Sequence, residues 1–129
     1  MLTALVLAQA PLADGMDFEA LVKAIGACDR SAVTGAIKGA DKRHADFLLA
    51  AYKEQRSVAL ARTDLAERRR RLRAKEAKVD SEEGLTLASD ALDERARALT
   101  DNRALDGAEQ DMVAYFRTQY LRQCSGKGL

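Results

Sequence analysis

The sequence predicts an all-α fold: a long antiparallel helical hairpin, coiled-coil-like along its arm, with two short N-terminal helices packed at its base. Three observations lead there. No run of β-branched and aromatic residues alternates with period two, so strand signals are missing. The only proline is Pro11, and nothing from Gly15 onward forbids continuous helix. Apolar residues recur every seven positions along two long stretches, the mark of a narrow helix–helix seam. Composition agrees. Apolar residues make up 47% of the chain but aromatics only 5%, so alanine, a strong helix former, carries much of that share. Charged residues reach 32%, as expected of long solvated helices, and 129 residues fit one domain.

Residues 1–15 read as a signal peptide or as a flexible N-terminal segment. Leu2 to Ala8 is apolar, and Ala8-Gln9-Ala10 has the small residues of a cleavage site. Against that, no Lys or Arg precedes the apolar run, and Pro11 would follow the cut badly. The expected helical domain occupies 16–124, with a frayed tail at 125–129. Asp17, Asp29 and Asp41 stand where helices should start, each able to accept from the free N–H groups of a first turn. Leu21, Val22 and Ile25, then Val33, Ala36 and Ile37, follow at helical spacing, which gives short helices at about 17–27 and 30–38. Gly39 is the expected stop. The stretch Ala36–Asp41 has a superficial likeness to an ankyrin repeat, but the Thr-Pro-Leu-His start is absent and the spacing is wrong, so that family is rejected.

From Asp41 to Val79 there is neither Gly nor Pro. Ala51, Val58, Leu65, Leu72 and Val79 form a seven-residue ladder along a helix expected at about 42–79. Asp80 with Glu83 resembles a capping box opening a second leg at about 82–123. That leg shows Leu85, Ala88, Leu92 and Leu99, then Leu105, Ala108, Met112, Tyr115 and Phe116. The phase change, with Thr100, Asp101, Asn102 and Gly107, predicts a kink or break near 100–107. Reversal near Glu82 would set Val79 against Leu85, Leu72 against Leu92 and Leu65 against Leu99. A base made from 17–60 and 105–124 would carry an arm of 61–104. Five of the six aromatics (Phe18, Phe47, Tyr52, Tyr115, Phe116 and Tyr120) would gather at that base, in a core or under a groove for an apolar ligand or partner helix.

Net charge is only +1, but it is unevenly spread. Residues 41–80 hold 12 basic and 7 acidic side chains, a net of +5, whereas residues 81–113 hold 3 and 9, a net of −6. The candidate polyanion contacts are Arg68, Arg69, Arg70, Arg71, Arg73 and Lys75, since clustered cations can track phosphates or acidic headgroups. In the register above this run would face Asp93 and Glu94, with Lys75 near Asp90, so the two legs would neutralise each other. No aromatic interleaves the run to stack on bases, which argues against nucleic acid.

The sequence predicts no enzyme, no cofactor and no metal site. The lone histidine, His44, would fall near Tyr120, away from any nucleophile, and no glycine-rich phosphate loop occurs. One His and two distant Cys do not make a zinc site, and Glu82 with Glu83 is too little for a cation. Cys28 and Cys124, an even count in a small chain, are the expected disulfide, which requires an oxidising compartment. No apolar run approaches the ~20 residues of a membrane-spanning helix. Together these features predict a periplasmic or secreted interaction protein, an adaptor or chaperone-like module of the cell envelope whose partner is another protein or a second copy of itself. The alternative is a cytoplasmic protein that binds nucleic acid or another polyanion through its basic helix.

Overall fold

The computed structural model of the protein describes residues 15–75 and 80–125. They form three helices: α1 (Phe18–Gly26), α2 (Arg30–Arg73) and α3 (Glu82–Gln123). The long α2 and α3 pack antiparallel as two legs of a hairpin, and α1 lies against both at the base. The predicted all-α hairpin is therefore present. Of residues 1–15, read as a signal peptide or flexible segment, residues 1–14 lie outside the described residues, as do Val79 and the tail from residue 126.

Asp17 starts α1 as expected, its Oδ1 accepting the Ala20 N–H at 3.1 Å. The helix ends in a Schellman motif: the Cys28 N–H reaches the Ile25 carbonyl at 3.0 Å and the Asp29 N–H the Ala24 carbonyl at 2.9 Å. Cys28 therefore sits left-handed at φ 50°, a place glycine usually fills. Asp29 then caps α2 by accepting the Ala32 N–H at 3.1 Å.

The second short helix is not a separate element. Residues 30–38 are the first turns of α2, which runs through Gly39 and Asp41 without a stop. Glycine inside a helix costs roughly 0.5–1 kcal/mol. The buried stripe Val33, Ile37, Ala40, Phe47 and Ala51 keeps helical spacing across it, and that packing prevails. At the other end α2 stops at Arg73, not Val79, with Lys75 left-handed at φ 58°. Ser81, not Asp80, caps α3, accepting the Gly84 N–H at 3.0 Å.

The predicted break near 100–107 is absent, because α3 is one helix throughout. Six of its seven buried positions, Leu85, Leu92, Leu99, Asp106, Val113 and Tyr120, recur every seven residues without a slip, with Asn102 between Leu99 and Asp106. Sequence reading left this ladder at Leu99, because the next rung is an aspartate. Leu105, Met112 and Tyr115 belong to a second stripe, which is exposed.

The register also differs, by one to two rungs. Leu65 packs with Leu85 and Leu92, beside Leu72 and Ala88, while Leu99 packs with Phe47 and Ala51. The chain leaves α2 six residues earlier than predicted, so each rung of α2 meets an earlier part of α3. Three clusters result. The base holds Leu21, Ile25, Val33, Ile37, Val113 and Tyr120 with their neighbours, a smaller core than 17–60 and 105–124 would make. The waist holds Phe47, Ala51 and Leu99, and the arm holds Leu65, Leu85 and Leu92.

Candidate functional site

The expected disulfide is formed. Cys28, at the α1–α2 turn, bonds Cys124, the C-cap of α3, across a Cα–Cα distance of 5.6 Å. Cys124 is buried and abuts the Ile25 carbonyl, so the bridge belongs to the base core. Phe18 stacks tilted on Phe116 at 5.9 Å, Tyr115 meets Phe116 edge-on at 5.2 Å, and Tyr120 is fully buried. The other aromatics do not join them. Phe47 sits at the waist and Tyr52 is exposed, because the continuous α2 carries both away from the base. A cleft of about 300 Å³ does lie between α1 and α2, walled by small residues that include Ala20, Ala24, Ala32, Gly35 and Ala36.

The waist is polar inside and apolar outside. Between the legs, Arg95 binds Glu54 with its Nε at 3.1 Å and reaches the Ser57 hydroxyl at 2.9 Å. Glu54, Asn102 and Asp106 are all buried. Arg43 pairs with Glu109 at 2.7 Å, and Arg103 donates to the Gln55 amide oxygen. His44 is here too, its Nδ1 2.7 Å from Asp106 Oδ2, rather than near Tyr120. A carboxylate only accepts, so the imidazole donates in this contact. This belt was missed in the sequence because each member looks like a solvated helix residue. The one available signal was Asp106 standing on a rung of the leucine ladder.

On the outside, Leu48, Leu49 and Tyr52 cluster on α2 and are 53%, 57% and 61% exposed. Leu105, Met112 and Tyr115 form the second stripe on α3. Scattered surface leucines are ordinary, whereas contiguous apolar stripes are candidate contact surfaces.

The arginine run lies near the tip and does not meet Asp93 and Glu94. Asp93 instead sits 3.4 Å from Arg62, and Glu94 pairs with Arg97 on its own helix. Arg68 pairs with Asp80 at 2.6 Å, and Arg70 and Arg71 both bind Glu67. The hydrogen bond from Arg68 holds the Asp80 carboxyl below its ordinary range, and that from Arg70, helped by Arg71, does the same for Glu67. Arg69 and Arg73 flank a shallow cleft of about 140 Å³ with Leu72, Glu82, Leu85 and Thr86. Among the described residues, Arg69, Arg73 and Lys75 have no carboxylate at ion-pair distance. Also among the described residues, no three His, Cys, Asp or Glu side chains converge on a point where a metal could sit. No helix among them is long and apolar enough to cross a membrane. Comparison with protein-family models, curated proteins and solved structures finds no match.

Proposed function

We propose that the protein is a non-enzymatic helical interaction module of an oxidising compartment, periplasmic or secreted, that clasps other chains as an adaptor or chaperone-like factor. The observation that carries this reading is the apolar outer face of the hairpin, with Leu48 and Tyr52 one turn apart and more than half exposed. Exposed apolar side chains on a rigid helix suit an extended or helical apolar segment of another chain. The Cys28–Cys124 bridge supports the compartment, since such a bond persists where thiols are not kept reduced.

The test is suppression of aggregation of an unfolding client by the oxidised full chain, beside a Leu48→Glu, Tyr52→Glu variant. Protection that the variant loses supports the reading; equal performance of the two proteins, or no protection by either, overturns it. Thiol titration of protein purified from its source should find no free thiol, and two free thiols would remove the compartment assignment.

A second reading is favoured by Arg69, Arg73 and Lys75, whose charges meet no carboxylate among the described residues. In it the tip contacts a polyanion. Three phosphate contacts would give roughly one to two decades of affinity loss between 50 and 200 mM salt. Titration of labelled DNA and RNA against the chain and an Arg69→Gln, Arg73→Gln variant decides it.

A further inference from the structure

α3 carries two ladders. The first, Leu85 to Tyr120 in steps of seven, is buried against α2. The second runs Asp101, Leu105, Ala108, Met112 and Tyr115 in alternating steps of four and three, and Arg122 lies seven further on, in phase. All six are exposed, Leu105 and Tyr115 by 59% each and Met112 by 42%. Spacing of four and three is what a helix presents to one partner helix, and nothing within the described chain covers this stripe. It is acidic at one end, apolar in the middle and basic at the other.

We propose that this stripe is a homodimer interface, in which α3 of one copy packs antiparallel on α3 of a second copy about a two-fold axis near residue 110. Charge fixes the occupant and the direction. A parallel pair would stack Asp101 on Asp101 and Arg122 on Arg122, and Glu94, four residues before Ala98 on the same stripe, would add another like-charged layer. The antiparallel pair brings Asp101 beside Gln119 of the second copy and within reach of its Arg122. Neither Asp101 nor Arg122 makes an ion pair among the described residues, so both are available. Size fits as well: Leu105 faces Tyr115 of the second copy, and small Ala108 faces Met112. The same patch serves both copies, as a two-fold contact requires.

Area sets the strength. Six side chains covering on the order of 80–100 Å² each bury about 1,000 Å² in total, the lower bound for a specific interface. An interface of that size belongs to the weak, transient class, so the dimer is sought in the micromolar range. It deepens the interaction-module reading by naming one partner, but it uses α3 where client capture uses Leu48 and Tyr52 on α2.

Sedimentation equilibrium of the oxidised full chain from about 2 to 200 µM reads the dimer directly. Met112→Glu should weaken it about 100-fold or more while leaving the melt of dilute monomer unchanged, since the side chain is exposed. Asp101→Arg and Arg122→Asp should each weaken it roughly three- to ten-fold, and the double reversal should restore it. A chain that stays monomeric throughout, or a dimer indifferent to Met112→Glu, overturns the proposal. A double reversal as weak as the single ones overturns the antiparallel arrangement. Loss of the dimer with client protection intact strikes this inference alone, and the converse strikes only the reading above.

Discussion

The base and the arm are built from the same two helices, yet they hold together for different reasons. At the base a third helix joins. Large side chains from three directions close around Val33 and Tyr120, and a covalent bridge ties the α1–α2 turn to the end of α3. In the arm two helices meet along one line of leucines, with Ala61 and Ala88 filling little space beside them. A two-helix contact leaves most of each helix in water, so packing there stabilises little per residue. The polar waist separates these regimes. Its buried ion pairs contribute less to stability than to alignment, since only one register lets Arg95 meet Glu54 while His44 meets Asp106. The molecule is therefore firm at one end and soft at the other, with the alignment held between.

The comparison breaks most visibly at the bridge. Replacing Cys28 and Cys124 by Ala should lower the stability of the base by about 3–5 kcal/mol, because the bond closes a loop spanning 96 positions. Urea unfolding of both proteins measures it; no change would mean the three-helix core suffices. Cys28→Gly paired with Cys124→Ala should be about 1 kcal/mol more stable than the Ala pair, since glycine accepts the left-handed backbone without strain.

Next in size is the arm's register. Leu65→Ala and Leu92→Ala should each cost about 2–3 kcal/mol and couple by at least ~0.5 kcal/mol in a double-mutant cycle. Leu65→Ala with Leu99→Ala should be additive. The reverse pattern would restore the alignment that places Leu65 against Leu99.

A smaller effect, of opposite sign, sharpens the account of the base. The Tyr120 hydroxyl is buried without a hydrogen-bond partner among the described residues, an arrangement that costs free energy. Tyr120→Phe should therefore raise the unfolding midpoint, by about 1 kcal/mol in stability. A drop would show that the hydroxyl is satisfied by water in solution.

The smallest effect belongs to the tip. Asp80 and Glu67 titrate lower in the folded chain than in the unfolded one. What they contribute is thus present at neutral pH and is lost as pH falls through their lowered values. Hydrogen exchange on either side of the turn, in residues 66–73 and 82–90, should accelerate on acidification below the ordinary carboxylate range before residues 113–122 respond. Asp80→Asn should remove part of that dependence. Uniform exchange along both legs would contradict the division between base and arm.

Much of this was legible from residue order. Helical class follows from the missing strand pattern and the single early proline, and it needs no tertiary information. Asp17 and Asp29 announce their helices because capping is local, satisfied within three residues. The Cys pair was legible as well, from its number and placement. What residue order left undetermined was which rung meets which. A seven-residue ladder repeats, so sliding one helix by seven still sets leucine against leucine. Leu72 finds Leu85 as readily as Leu92. Gly39 and Asp41 looked like a stop and a start because local preference there opposes continuity by only about 1 kcal/mol, less than the packing of Val33, Ile37 and Ala40 returns. Once α2 is continuous from Arg30, the bridge becomes a ruler. Reversal at Glu82 would leave Cys28 three turns out of reach of Cys124, whereas reversal between Lys75 and Asp80 brings the two together. The capped starts at Asp17 and Asp29 are decided by neighbours in the chain; continuity through Gly39 is decided by packing, and the register by the few contacts that a slip would break, the bridge and the polar pairs of the waist.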